Sequence, residues 1–174
     1  MKSYLEIKVP LHYDAPWLES LRNAFKGIPV RWQKGYFHIT MAFLDETPDD
    51  VDFNPVISEQ LRTTIAPTLT FDKLDVFPTK SNDMYIVNLT CTNIPPSFEN
   101  LVSRIRGEFE KRGAVIESDF KLHVTLGRIK ELTISLKEIE KILSSAEMTP
   151  FTLKLSDLIY RWFRGRTIGL WHLH

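Results

Sequence analysis

Two strings, His38-Ile39-Thr40-Met41 and His123-Val124-Thr125-Leu126, constrain this chain more than anything else in it. Each sets a His and a Thr two residues apart in a stretch with strand-like apolar alternation. Side chains alternate faces along a β-strand, so His and Thr at i and i+2 point the same way. Each string thus presents an imidazole beside a hydroxyl. Phe37, Ile39 and Met41, or Leu122, Val124 and Leu126, lie on the opposite face. With five His and 14 Thr among 174 residues, random order yields roughly 0.4 His-x-Thr strings. Two strings in matched apolar settings point to one site built from two halves of the molecule.

The flanking sequence supports two such halves. Residues 3–9 alternate as a first strand, and Asp14 is placed to cap a helix with Pro16 in its first turn, an apolar stripe of Trp17, Leu18, Leu21 and Phe25, and Gly27 after it. A short strand at 29–33 and a strand at 36–44 come next, the latter carrying His38 and Thr40. A helical region opens at Pro48, breaks at Pro55 and runs to about residue 65. Strands near 68–77 and 84–91 flank the polar turn 79–83. The second half begins at Pro95-Pro96-Ser97 with a helix through Arg112, apolar at Phe98, Leu101, Val102, Ile105 and Phe109 and stopped by Gly113. A strand at 120–129 carries His123 and Thr125. Ser135 caps a helix with Leu136, Ile139, Ile142 and Leu143 inward. Strands at 151–156, 158–163 and 167–173 close the chain. The expected class is α+β, with two pseudo-symmetric halves, each holding an antiparallel sheet and helices, whose His/Thr strands face a central cleft. Residues 1–174 are expected to form a single domain of two intertwined lobes.

Two imidazoles titrating near neutral pH can divide the work of general acid and general base. A tetrahedral phosphate between the pairs would meet one His at the attacking oxygen and the other at the leaving oxygen, with the Thr hydroxyls on the non-bridging oxygens. That arrangement suits in-line opening of a phosphodiester by water without a metal. The near symmetry of the two strings leaves open which His is acid and which is base.

The paired H-x-T-x strings resemble the signature of the 2H phosphoesterase superfamily, in particular its branch of RNA 2′,3′-cyclic phosphodiesterases, also called 2′-5′ RNA ligases. Met41-Ala42-Phe43-Leu44 running into Glu46-Thr47-Pro48 is similar to the family's first motif leading into its helix, and Val76-Phe77-Pro78 to its next strand. Phe120-Lys121-Leu122-His123 resembles the approach to its second motif, and residues 151–173 its closing strands. The chain departs from the family in having Met41 for the commoner Leu, Leu122 for Pro, and Arg166-Thr167 where a Tyr commonly comes after the Gly of the last hairpin. The resemblance implies a bilobal 2H fold with His38 as proton donor, His123 as proton acceptor, and Thr40 and Thr125 as phosphate ligands. The implied reaction turns an RNA 2′,3′-cyclic phosphate into a 2′-phosphate, with weak 2′-5′ ligation as its reverse. Other cyclic-phosphate or oligonucleotide substrates, or a non-catalytic RNA- or nucleotide-binding module on the same fold, are the alternatives.

Further substrate contacts are expected from few residues. Arg128 comes shortly after the second string, but strict alternation puts it on the face away from His123 unless a bulge intervenes. Tyr36, Trp32 and Trp162 are candidates to stack on a base, Tyr36 being the one nearest the first string. Arg161, Arg164 and Arg166 form a local basic cluster around a hairpin turn. His12, His172 and His174 have no partner at useful spacing. No His-x-x-x-His, cysteine pair or convergent carboxylate set implies a metal, and no cofactor is expected. Lys plus Arg balance Asp plus Glu at 22 each, which argues against coating long nucleic acid but allows a grip on one phosphate at an RNA end or on a cyclic nucleotide. Cys91 is the only cysteine, and no signal-like or membrane-length apolar run occurs. The expectation is a cytoplasmic monomer without membrane partners.

Overall fold

In a computed structural model that describes residues 1–117 and 119–174, the described residues form eleven strands and four α-helices. The first half holds β1 (Ser3–Val9), α1 (Pro16–Ala24), β2 (Arg31–Trp32) and β3 (Phe37–Glu46). Next come α2 (Asn54–Leu61), β4 (Thr68–Phe71) and β5 (Lys73–Pro78). The second half holds β6 (Met84–Thr90), α3 (Pro96–Lys111), β7 (Val115–Ile116) and β8 (Val124–Lys130), and then α4 (Leu136–Ser145), β9 (Phe151–Lys154), β10 (Asp157–Trp162) and β11 (Thr167–His172). The order β1-α1-β2-β3 is repeated by β6-α3-β7-β8, so the two halves suggested by the motif strings are structural repeats.

The halves join edge to edge in one nine-stranded sheet of order β11-β10-β1-β3-β8-β6-β5, with β2 paired to β8 and β7 to β3; β4 and β9 form a separate pair. The motif strands meet at a single register pair, Ile39 opposite Val124. Away from it they part: β2 takes over beside β8, with Trp32 opposite Gly127, and β7 takes over beside β3, with Ile116 opposite Leu44. Each half therefore lends a two-residue strand to the motif strand of the other half.

The inner face of the sheet meets the apolar stripes of the helices. Leu5, Ile7, Ile39, Leu44 and Val124 are fully buried there with Leu18, Leu21, Phe98, Leu101, Ile105 and Ile139. Phe53 meets both Phe109 and Tyr160 edge to face behind β1. Local signals account for most helix ends. Gly27 and Gly113 take positive φ after α1 and α3, a conformation that glycine adopts without strain. Ser135 caps α4 in a full capping box with Glu138. Asp14 does not cap α1: the N-cap is Ala15, without a side-chain bond, and Pro16 alone opens the helix. Pro55 likewise lies in the first turn of α2 rather than interrupting a longer helix. The expected strand at 120–129 starts only at Val124, because the carbonyls of Lys121 and Leu122 accept side-chain bonds from His123 and Thr90.

Both motif strands break alternation at the same place. β1 shifts register against β3 between Leu5 (opposite Ala42) and Glu6 (opposite Thr40), which leaves Met41 as an extra residue. β6 shifts against β8 between Val87 (opposite Gly127) and Asn88 (opposite Thr125), which leaves Leu126 extra. A bulge therefore lies just beyond each motif Thr, and two consecutive residues, Met41-Ala42 and Leu126-Gly127, turn into the core. Gly127 is needed for this. A Cβ there would lie 2.8 Å from Val30 Cγ1 and 2.9 Å from Trp32 Cε3. Gly127→Ala is expected to destabilise the fold by about 1–3 kcal/mol, the usual cost of overpacking. Urea unfolding checks this, and an unchanged midpoint would contradict it.

Candidate active site

One ladder pair builds the site. With Ile39 opposite Val124 in antiparallel strands, one step either way sets His38 beside Thr125 and Thr40 beside His123. All four side chains point away from the core face, onto which Ile39 and Val124 project. The two imidazoles occupy diagonal positions, for which ladder geometry gives about 7–8 Å between Cα atoms. They share one face of one sheet, close enough for the charge of His38 to lower the His123 pKa. Neither Thr hydroxyl has a hydrogen-bond partner among the described residues, so both are free to donate.

The bulges set what lies next to these four. The residue three beyond each Thr returns to the His/Thr face: Phe43 after Thr40 and Arg128 after Thr125. Arg128 thus joins the His123 side, where its charge reaches both imidazoles, and its Nη1 lies 3.5 Å from Gln33 Oε1. A cavity of about 420 Å³ opens beside His123 and Thr40, walled by Tyr4, Phe43, Phe77 and Lys121. Phe77 meets the His123 ring edge to face at 5.0 Å, and the Lys121 ammonium lies 3.9 Å from the Phe77 centroid. A larger recess of about 680 Å³ between the end of α2 and the start of α3 is lined by Arg104, several Thr and Ser97 but by no His.

The two histidines have unlike surroundings. His123 Nδ1 bonds the Lys121 carbonyl at 2.9 Å, which fixes the ring and leaves Nε2 for the cleft. On His38 the corresponding carbonyl, that of Tyr36, acts in the same direction without closing a hydrogen bond, and Nδ1 is buried without a partner among the described residues. His38 Nε2 instead lies 3.3 Å from Glu6 Oε1, off the axis of a hydrogen bond. Glu6 is buried to 1% exposure and also accepts from Tyr36 Oη at 2.7 Å and from Arg161 Nε and Nη2 at 3.2 Å each. Burial lowers the pKa of His38, Glu6 opposes that shift and Arg161 adds to it. Burial also lowers His123; the Lys121 carbonyl opposes, and the charges of Lys121, His38 and Arg128 add. Tyr36 is pushed up to about 12, by burial first and then by its bond to Glu6.

Because both imidazoles are harder to protonate folded than unfolded, the unfolded chain takes up protons that the native one refuses as pH drops below the ordinary histidine value of 6.5. Their contribution to stability is full above that value and is lost downward through the folded pKa values. The melting temperature in phosphate-free buffer is expected to fall as pH is lowered from about 6.5 to about 5. His123→Gln should flatten part of the fall, and an equal fall in that variant would contradict the assignment.

Residues 12–166 match the family profile of the 2′-5′ RNA ligase superfamily. The chain belongs to that superfamily. The resemblance of its H-x-T-x strings to the 2H phosphoesterases is borne out, and so is the α+β fold. Kluyveromyces marxianus Usb1 superposes with a TM-score of 0.67 over 99% of this chain and 98% of its own, at 11% identity. Escherichia coli LigT in complex with phosphate gives 0.56 at 18% identity, covering 99% and 96%. LigT with 3′-AMP gives 0.58 at 17% identity, covering 99% and 97%. A comparison with curated protein sequences finds no match.

Within this member of the 2′-5′ RNA ligase superfamily, the structure brings together His38, Thr40, His123, Thr125 and Arg128, with Tyr36 at the edge. The Tyr36 hydroxyl is committed to Glu6, and its ring lies 5.5 Å from that of His38. Trp32 packs on Phe25 and against Gly127 as a structural residue. Arg161 leaves the turn cluster and reaches into the cleft, while Arg164 stays on the exposed turn beside Phe163. His172 does have a partner, Asp157 Oδ1 at 2.6 Å across β10–β11, at the far edge of the sheet. Glu6 and Asn88, opposite the two motif Thr residues, are absent from the sequence-based set of site residues. Among the described residues no three His, Cys, Asp or Glu side chains converge on a metal position, and no helix is long and apolar enough to cross a membrane.

Proposed function

We propose that this protein hydrolyses a 2′,3′-cyclic phosphate at an RNA end, or the corresponding cyclic nucleotide, to a 2′-phosphate, using two histidines and no metal. The observation that carries the reading is the Ile39–Val124 pair, which sets two imidazoles and two unpartnered hydroxyls next to one another on one face of the sheet. His123 takes a proton from water as the water oxygen attacks phosphorus. The P–O3′ bond opposite breaks, and His38 protonates the departing O3′, leaving the phosphate on O2′. Thr40 and Thr125 donate to the non-bridging oxygens as charge builds on them. Arg128 and Tyr36 flank the substrate, and the aromatic wall of Tyr4, Phe43 and Phe77 receives a nucleobase, since stacking on aromatic rings is how unpaired bases are commonly held. Run in reverse, the same groups join ends through a weak 2′-5′ linkage. The chain acts as one domain and as a cytoplasmic monomer.

LigT bound to phosphate and to 3′-AMP, and Usb1 bound to uridine monophosphate, support a nucleotide-sized ligand. The test is to incubate 2′,3′-cyclic nucleotides and an RNA oligonucleotide ending in a 2′,3′-cyclic phosphate with the protein in EDTA. A 2′-phosphate product supports the reading. Turnover of another phosphodiester alone would move the substrate within the superfamily, and binding of RNA without any turnover would favour a non-catalytic module.

A further inference from the structure

The internal repeat places one residue of each half directly opposite the motif Thr: Glu6 opposite Thr40 and Asn88 opposite Thr125. Both sit at the register shift that makes the bulge, both project on the His/Thr face, and both are 1% exposed. The slot is the same and its charge is different. On the His38 side it holds a carboxylate, with Oε1 3.3 Å from Nε2. On the His123 side it holds a neutral amide, whose Nδ2 donates to the Asp75 and Ile86 carbonyls while Oδ1 stays buried without a partner among the described residues.

We infer that Glu6 is a positioning residue that sets the direction of proton transfer, favouring the protonated, donating form of His38 over that of His123 and so leaving His123 to serve as the base. The inference rests on the proposed two-histidine hydrolysis and assigns its polarity from this chain's own residues. An anion beside an imidazole favours the charged ring. Because the Glu6 contact lies off the hydrogen-bond axis, it supplies charge without capturing the Nε2 proton, which stays available to a leaving oxygen.

The other charges around each ring fit this polarity. From β10, Arg161 bonds both Glu6 oxygens and holds the carboxylate in place; its own charge on His38 ranks below that of Glu6. From β1, Lys8 stands opposite His38 but extends over the Tyr36 ring, 5.1 Å from its centroid. Tyr4, also on β1, lies under the Arg161 guanidinium at 4.8 Å. From β8, Arg128 acts on both imidazoles. His123 has Lys121 beside it and no carboxylate in the position of Glu6. Asp75, on β5, turns its Oδ1 back to the Val76 amide.

Three measurements test this. In the native chain, side-chain ¹H–¹⁵N spectra should show His38 titrating above His123, and the reverse order or equal values would overturn the inference. In Glu6→Gln, the alkaline limb of the kcat/KM profile, which reports the acid, should move about one pH unit lower and the acid limb should stay. At a fixed pH on that limb the rate then falls about tenfold. Movement of the acid limb, or of neither, would overturn it. Asn88→Asp should instead shift the acid limb upward, and an unmoved limb there also counts against the inference. The titration needs no substrate, so the polarity can stand where turnover of a cyclic phosphate is not found, and can fail where it is.

Discussion

Replacing either motif histidine, His38→Ala or His123→Ala, is expected to lower kcat on a 2′,3′-cyclic nucleotide at least about a hundredfold, the ordinary contribution of a placed general acid or base. The two losses should not add. Once one proton can no longer be moved, the partner has little left to assist, so the double variant should resemble the worse single one. The pH profile separates the roles. Loss of His123 removes the limb that demands a deprotonated base and loss of His38 the limb that demands a protonated acid, so each variant keeps one limb of the bell. Full activity in either variant would end the two-histidine mechanism. Neither ring is a keystone of the core, since both project from the outer face of the sheet, so circular dichroism should show the fold retained.

Thr40→Ala and Thr125→Ala should each reduce kcat/KM by about tenfold to a hundredfold, because each removes one donor to an oxygen whose charge grows in the transition state. Ser at either position keeps the hydroxyl and should restore most of the loss. Thr125 is 9% exposed and beside the Leu126 bulge, so its methyl also packs, and Thr125→Ser should recover less fully than Thr40→Ser. Equal activity of the Ala and Ser variants would mean that the hydroxyls do no phosphate binding.

How far these residues are legible in sequence depends on what alternation can report. The His/Thr pairs are legible because i and i+2 share a face whatever the strand does next. The bulges are not, since alternation assumes an unbroken register, and on that basis it puts Arg128 on the wrong face. The signal is nevertheless present as adjacent core-type residues, Met41-Ala42 and Leu126-Gly127. Glu6 is hidden for another reason. Leu5-Glu6-Ile7-Lys8 has the pattern of any strand with one wet face, and only the placement of β1 between β3 and β10 turns that face into the wall of a cleft. Arg161 groups by sequence with its neighbours at the turn, whereas its register opposite Tyr4 directs it inward. Capping is legible where a side chain acts, at Ser135, and misleading at Asp14, where the rigid φ of Pro16 is enough. The two-residue strand β2 lies within the short strand expected at 29–33, whereas β7 takes its structure from the other half of the chain and no local pattern announces it.

That β1 is flanked on its outer side by β10 has a temporal consequence. A nascent chain emerging residue by residue holds all four motif side chains once it passes Thr125, yet β1 still lacks its outer neighbour and Glu6 lacks its arginine. Only with Arg161 in place, some thirty-five residues later by sequence number, is the charge beside His38 locked. The charge beside His38 thus waits on a strand made well after both motifs, and a ribosome stalled short of β10 would display both motifs with Glu6 still lacking its arginine.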